Sequence, residues 1–290
     1  MNQNNIKIGF FGTSEYAVTV LDYLKKVGHT IAFIVTTPDK PKGRKLIVTA
    51  SPVKVWATEH NIPILQPENL KNNPVFEDQL RTYKCDVFIV IAYGKIIPDS
   101  ILLIPPRKSL NIHGSILPEL RGSCPIETAI LQDKKNTGVS IIRMDNLMDH
   151  GPILASKEVI VEPWPPTVEV LGKAIVKTGA ELLTEILPAW IDGSLPEKEQ
   201  DHSRATITKK IQKEDGLINL SDDPHLNFRK IQAYHEWPQA YFMIKHKGKD
   251  MRIKITSASF KDEELIIEKV IPEGGKEMSY KDFQSGYLQK

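Results

Sequence analysis

The sequence has only two cysteines in 290 residues, Cys85 and Cys124. Two thiols are too few for a disulfide framework or a thiolate metal site. No apolar run approaches the roughly 20 residues of a transmembrane helix, so the sequence predicts no membrane span. The first residues match neither a signal peptide nor a targeting leader, and we therefore expect a cytoplasmic protein.

Several catalytic motifs are also missing. Gly9 lies in the first predicted strand and Gly12 directly follows it, but their G-x-x-G spacing differs from the G-x-G-x-x-G of a dinucleotide site. The sequence contains no G-x-x-x-x-G-K-[ST] run, and its eight histidines show no H-E-x-x-H spacing, so we expect no bound metal. Nucleophilic catalysis by Cys124 is an open alternative, although an isolated cysteine is more often a small packing residue.

The net charge of +2 is too small to indicate a nucleic-acid partner by itself. Basic residues are nevertheless clustered in a loop over residues 37–51 and again from residue 209 onward. The clustered residues are Lys40, Lys42, Arg44 and Lys45 in the loop, and Lys209, Lys210 and Lys213 in the later segment. Each cluster is either a solvated surface or a nucleic-acid contact.

The first 145 residues alternate strand and helix patterns. Residues 6–11 form a continuous apolar run, typical of a strand buried on both faces, and residues 14–27 follow with an amphipathic helix pattern. The strongest strand pattern covers residues 86–92, which are rich in Val and Ile. This alternation predicts an α/β domain with a mainly parallel, doubly wound, Rossmann-like sheet.

The pattern changes after a long predicted helix over residues 170–190. The next segment contains Gly193, Pro196 and many charged residues, which is typical of a linker. Short β-like runs then predict a small, mainly β domain. The predicted boundaries are 1–191 for the first domain, 192–207 for the linker and 208–290 for the second domain.

Two polar side chains lie on the predicted strand 109–113. Asn111 and His113 are two residues apart and share one face, while Ile112 points the other way. An amide and an imidazole on one face can stabilise an oxyanion and handle a proton; alternatively, Asn111 caps the strand and His113 is a hydrogen-bonded polar residue. Asp149 follows a later predicted strand. Because ligands bind beyond the carboxyl ends of parallel strands, we expect all three at one rim.

Longer runs surround these residues. The first is Asn111-Ile-His-Gly-Ser-Ile-Leu-Pro, which continues into Arg121-Gly-Ser-Cys-Pro-Ile, and the second is Met144-Asp-Asn-Leu-Met-Asp-His-Gly-Pro. The first run resembles the N-x-H…S-L-L-P signature of the folate-dependent formyltransferases, and the second resembles the segment that carries their aspartate. Further similar runs are Phe11-Gly-Thr-Ser-Glu-Tyr-Ala, Pro38-Asp-Lys-Pro-Lys-Gly-Arg-Lys, Ala92-Tyr-Gly-Lys-Ile-Ile-Pro and Trp237-Pro238. The resemblance therefore covers nearly the whole chain in order.

The resemblance implies formyl transfer from the co-substrate 10-formyltetrahydrofolate to the α-amine of methionyl initiator tRNA, in translation initiation. It assigns Asn111 and His113 to the developing oxyanion, and Asp149 to holding His113 in its useful protonation state and relaying the amine proton. No metal is needed. The folate is expected to lie against Ile91, Tyr93, Gly94, Ser115, Ile116, Leu117 and Pro118. For Ile116 and Leu117, plain core packing is the alternative.

The resemblance also assigns the basic loop to the tRNA acceptor stem. We expect Arg44 to contact phosphate or base edges, supported by Lys42 and Lys45. Lys209 and Lys210 are further candidates, with a solvated face as the alternative. The second domain is expected to be OB-like and shortened, because residues 259–265 join two strand-like runs directly.

Two other functions are consistent with the same three polar residues. One is formylation of an amino-sugar nucleotide or another small amine, and the other is RNA binding without catalysis. The basic loop favours the tRNA substrate, while the intact set Asn111, His113 and Asp149 favours an enzyme. We expect a monomer.

Overall fold

The computed structural model describes residues 5–42 and 47–288 of the chain. Its first part contains β1 (Lys7–Gly12), α1 (Glu15–Lys26), β2 (Thr30–Val35), β3 (Lys40–Lys42), β4 (Ile47–Thr49), α2 (Pro52–Glu59), β5 (Ile64–Leu65), α3 (Pro74–Thr82), β6 (Val87–Ile91), α4 (Asp99–Leu102) and β7 (Ser109–His113). It continues with α5 (Pro125–Leu131), β8 (Thr137–Arg143), β9 (Ile153–Val159), α6 (Val168–Asp192), α7 (Pro224–Ala233), β10 (Tyr241–His246), β11 (Lys249–Lys261), β12 (Glu264–Pro272), β13 (Met278–Ser279) and α8 (Tyr280–Phe283). Within these ranges, no helix combines the length and apolarity that crossing a membrane requires.

A seven-stranded sheet has the strand order β5-β2-β1-β6-β7-β8-β9. From β5 to β7 all neighbouring strands are parallel, whereas β8 is antiparallel to β7. The predicted α/β fold with a mainly parallel sheet is therefore confirmed. The antiparallel pairing of β8 was not part of the prediction, and it affects how the polar residues meet.

The glycine at position 9 is explained by core packing. A Cβ at Gly9 would lie 2.5 Å from the ring of Phe33 and 2.6 Å from that of Phe88. These two rings meet edge to face across β1, with their centroids 5.5 Å apart. The missing side chain therefore makes room for an aromatic cluster.

The C-terminal part contains a four-stranded antiparallel sheet in the order β10-β11-β12-β13. Its apolar core is buried and comprises Ile218, Ile231, Ala240, Phe242, Ile253, Ile255, Val270 and Phe283. The predicted small β domain is therefore confirmed. Its four named strands are one fewer than the five of an OB barrel, as expected for a shortened domain.

The chain divides into two compact units. The first comprises Met1–Arg121, Gly138–Val159 and Lys173–Thr206, and the second comprises Gly122–Thr137, Ile160–Gly172 and Ile207–Lys290. Most of the predicted linker thus belongs to the first unit. The domain boundaries drawn from the sequence stay a prediction.

Candidate active site

Strand β7 places Asn111 and His113 on one face of the sheet. The Asn111 Nδ2 group donates to Asp149 Oδ1 at 3.2 Å, and His113 Nδ1 lies 3.4 Å from the same oxygen. Ile112 points away from them, because its side chain lies close to Gly179 of α6. The structure therefore brings the three predicted polar residues together.

Asp149 reaches this position by a route that differs from the predicted one. Because β8 is antiparallel to β7, Ser140 pairs with His113 and Arg143 pairs with Leu110. The carboxyl end of β8 therefore lies beside the start of β7, at the edge away from His113. The expectation that Asp149 joins the site because two strands end at one rim is wrong. A loop over residues 144–152 instead folds back and carries Asp149 to the middle of β7.

This loop, the Asp149 loop, is tightly constrained. Asp149 has a φ of 51°, in the left-handed region, which costs a non-glycine residue about 1–2 kcal/mol. Gly151 packs directly against β8, since a Cβ there would lie 1.9 Å from the backbone oxygen of Arg143. The surrounding contacts therefore help to hold the loop in this conformation.

The side chain of Gln200 supplies two of these contacts. Its Nε2 group donates to the backbone oxygen of Asp149 at 2.9 Å and to that of Gly151 at 2.7 Å. Its Oε1 atom accepts from Arg121 Nε and Nη2. No role for Gln200 or Arg121 was predicted from the sequence, because Gln200 lies in a charged segment typical of a linker.

The hydrogen bonds of His113 determine its tautomer. Nε2 lies 2.9 Å from the backbone oxygen of Leu120, and a carbonyl oxygen only accepts, so Nε2 carries a hydrogen. A neutral ring would then turn the lone pair of Nδ1 toward the Asp149 carboxylate. This contact is attractive only when His113 or Asp149 carries one further proton. Because the side chains of His113 and Asp149 are only 5% and 13% exposed, their interaction is weakly screened by water.

Two family models match the chain. The model described as Formyl transferase matches residues 6–187, and the model described as Formyl transferase, C-terminal domain, matches residues 210–264. The chain belongs to the formyl transferase family. The resemblance predicted from the sequence runs is thereby confirmed.

The chain is also similar to individual proteins. The methionyl-tRNA formyltransferase of Chloroflexus aggregans is 44% identical over 81% of this chain and 76% of its own length. The methionyl-tRNA formyltransferase of Dictyoglomus turgidum is 36% identical over 97% of this chain and 96% of its own length. A solved sugar N-formyltransferase from Shewanella sp. is 16% identical, with a TM-score of 0.65 over 88% of this chain and 99% of its own. The structural likeness, at that identity, shows the fold alone.

The residues predicted to contact folate differ in exposure. Ile91, Tyr93, Ser115 and Leu117 are buried, and burial raises the pKa of Tyr93 to about 12. Gly94 is exposed, and Ile116 and Pro118 are partly exposed. Of the seven predicted residues, Gly94, Ile116 and Pro118 are therefore the ones with surface open to solvent.

Ser140 of β8 holds the turn that contains Ile116 and Pro118. The Ser140 hydroxyl donates to the backbone oxygen of Ser115 at 2.8 Å and accepts from the backbone nitrogen of Leu117 at 3.0 Å. The turn is thus tied to β8, beside the strand that carries His113. The contact of this turn with folate stays a prediction.

The basic loop contains a two-stranded ribbon formed by β3 and β4. At its base, Asp39 accepts from Lys54 Nζ at 2.5 Å and from Gln66 Nε2 at 2.8 Å. These hydrogen bonds, the one from Lys54 foremost, hold the pKa of Asp39 below its usual value. The ribbon is therefore anchored to the first unit at its base.

The predicted tRNA-binding residues are placed only in part. Arg44 and Lys45 lie outside the described residues, and so does the side chain of Lys42. Lys209 and Lys210 are exposed in the second unit. Their binding to tRNA stays a prediction.

In the described ranges, no group of three or more His, Cys, Asp or Glu side chains is arranged to hold a metal ion.

Replacing Gly151 by alanine should both destabilise the protein and impair formyl transfer. The new Cβ would lie 1.9 Å from a backbone oxygen, so the Asp149 loop must shift away from β8. Overpacking of this kind typically costs about 1–3 kcal/mol, which urea denaturation would measure. The matched control is Gly286→Ala, where a Cβ meets nothing within 4 Å. Equal stability and activity in the two variants would contradict the packing described here.

Proposed function

We propose that this formyltransferase moves the formyl group of 10-formyltetrahydrofolate to the α-amine of methionyl initiator tRNA. The named relatives, 36% and 44% identical to this chain, support the tRNA substrate. The observation that carries the chemistry is the convergence of Asn111 and His113 on one carboxylate oxygen of Asp149.

Formyl transfer is an acyl transfer. The amine nitrogen attacks the formyl carbon, a C–N bond forms, the bond from that carbon to the folate nitrogen breaks, and the amine proton must leave. The tetrahedral intermediate carries a negative oxygen that needs a hydrogen-bond donor. We assign Asn111 as that donor, because its amide nitrogen has two hydrogens and one of them is used on Asp149.

We assign Asp149 as the acceptor of the amine proton, with His113 as its partner. The contacts of both His113 nitrogens, with Leu120 and with Asp149, support this arrangement. A direct contact of His113 with the oxyanion would first require the ring to release one of these partners. The pair can hold the transferred proton until the folate nitrogen leaves and takes it up.

We further propose that folate lies along the edge formed by the backbone near Gly94 and by Ile116 and Pro118. The buried residues Ile91, Tyr93, Ser115 and Leu117 would support this edge from behind. Their burial favours a structural contribution to binding over direct side-chain contact. The formyl group carried by the folate would then face the Asn111 amide.

The acceptor can be tested with the purified protein and 10-formyltetrahydrofolate. Methionyl initiator tRNA and an amino-sugar nucleotide are offered separately, and formylated product is measured by mass spectrometry. We expect product on the tRNA. Product on the sugar alone would overturn the tRNA assignment, and no product on any amine would favour an RNA-binding protein without catalysis.

The basic loop should make tRNA binding depend strongly on salt. Lysine and arginine side chains release counterions when they neutralise phosphates, so affinity falls as the salt concentration rises. Combined replacement of Lys42, Arg44 and Lys45 by alanine should weaken tRNA binding. It should also reduce the slope of log K against log salt by about 0.7–0.9 for each phosphate that the variant no longer neutralises.

Filter binding at several salt concentrations measures this slope, with folate affinity as the internal control. The pair Lys209→Ala with Lys210→Ala, in the second unit, tests the other two candidates in the same way. An unchanged slope in the variant that lacks Lys42, Arg44 and Lys45 would remove the basic loop from the proposed tRNA interface.

A further inference from the structure

The Asp149 loop is held by a side chain that lies 51 residues away in the sequence. Gln200 donates one hydrogen of its Nε2 group to the backbone oxygen of Asp149 and the other to that of Gly151. The first oxygen belongs to the left-handed residue Asp149, whose carboxylate contacts Asn111 and His113. Gln200 therefore holds the loop directly after Asp149, on either side of His150.

The other side of the Gln200 amide is equally constrained. Its Oε1 atom accepts from Arg121 Nε at 3.2 Å and from Nη2 at 2.6 Å. Arginine has only donors, so this contact determines which end of the amide faces Arg121. All bonding positions of the amide are then occupied, and Gln200 is 5% exposed. Neither rotation nor water can readily replace these bonds.

The segment that carries Gln200 is itself anchored to the sheet. Lys198 and Ile153 exchange backbone hydrogen bonds of 2.8 and 2.9 Å. Glu197 accepts from Arg143 Nη2 at 2.8 Å, at the end of β8. The segment therefore follows the sheet from the end of β8 to the start of β9, and it presents Gln200 from a supported backbone.

The same segment also supports His113. Thr206 accepts from the backbone nitrogen of Leu120 through its hydroxyl and from that of Arg121 through its carbonyl, both at 2.8 Å. The backbone oxygen of Leu120 in turn accepts from His113 Nε2. His113 is thus tied to residues 198–206 through Leu120, and Asp149 is tied to the same segment directly, through its own backbone oxygen.

We propose that Gln200 is a positioning residue for formyl transfer. It holds the Asp149 loop so that the carboxylate lies within reach of Asn111, His113 and the attacking amine. The inference rests on the proposed function of Asp149 as proton acceptor. It predicts that loss of the two Nε2 bonds affects the chemical step and leaves substrate binding largely intact.

The first test replaces Gln200 by methionine, which has a similar length and shape and no donor. We expect kcat to fall about 100-fold, as when a catalytic group is displaced by about 1 Å. The KM values for folate and tRNA should change by less than about threefold, because no binding contact is removed. Gln232→Met is the matched control, since Gln232 donates to a backbone oxygen of Pro165 in the second unit. A near wild-type kcat in Gln200→Met would overturn the proposal.

The second test uses Gln200→Glu, which keeps an oxygen that can accept from Arg121. We therefore expect this variant to fold even if Gln200→Met does not. An ionised glutamate cannot donate to the two backbone oxygens, whereas a protonated one can donate to one of them. The ratio of its kcat to that of the wild type should therefore rise as the pH is lowered. A ratio that does not change with pH would count against a positioning role.

A third measurement separates this proposal from the proposed function. In a crystal structure of whichever variant folds, the Asp149 carboxylate should lie farther from Asn111 Nδ2 than the 3.2 Å seen here. An unmoved carboxylate would refute the role of Gln200, whatever the activity. A moved carboxylate, combined with a wild-type protein that formylates no amine, would refute only the proposed function.

Discussion

Replacing Asp149 by asparagine should lower kcat by about 100- to 10,000-fold, the range expected for loss of a general base. Asparagine has nearly the same shape as aspartate, so the backbone contacts from Gln200 can persist. It cannot accept a proton at neutral pH, and its amide would face the Asn111 amide and His113. Single-turnover formylation of methionyl initiator tRNA measures the chemical step directly.

The neighbouring carboxylate Asp145 provides the control. It lies on the same loop, but it accepts from the backbone nitrogen of Leu147 and pairs with His150. Asp145→Asn should therefore keep most of the activity. If Asp145→Asn and Asp149→Asn lose activity equally, the loss reflects a disturbed loop, and Asp149 is not the proton acceptor.

Replacing Asn111 by alanine should reduce kcat about 100- to 1,000-fold, which corresponds to about 2.7–4 kcal/mol of lost transition-state stabilisation. The amide is the proposed donor to the oxyanion, and this charge exists only in the intermediate. Folate and tRNA affinity should therefore stay close to wild type. Stopped-flow kinetics, together with equilibrium folate binding, separates the two effects.

The exposed Asn146, at the tip of the Asp149 loop, is the matched control, and Asn146→Ala should remain active. The double variant Asn111→Ala with Asp149→Asn gives a further check. Residues that act as a unit are not additive, so the double variant should be only slightly slower than the worse single variant. Wild-type activity in Asn111→Ala, or strictly additive losses, would contradict a shared site.

The alternation of Asn111, Ile112 and His113 shows what could be predicted from the sequence. Strand side chains alternate with a period of two, so the shared face of Asn111 and His113 follows from their spacing. The structure also brings Asp149 to these two residues, but by a different path from the one that the sequence predicts. The prediction assumed parallel neighbouring strands, whereas β8 is antiparallel and the loop must return.

Gln200, which supports the Asp149 loop, could not be predicted from the sequence. Gln200 lies among charged residues with Pro and Gly nearby, a composition that is typical of a linker. Its burial results from contacts with Asp149, Gly151 and Arg121, which are 49 to 79 positions away. Composition describes neighbours along the chain, so it carries no information about such contacts.

The sequence by itself determined the α/β class, the small C-terminal β domain, the family and the three polar residues at the centre of the site. These properties depend on local periodicity and on contiguous runs of residues, which can be read directly from the sequence. Only the tertiary structure decided the direction of β8, the path that brings Asp149 to Asn111 and His113, and the hydrogen bonds by which Gln200 holds the Asp149 loop. Each of these depends on hydrogen bonds between segments far apart in the chain, whose pairing is selected by the packing of the whole unit.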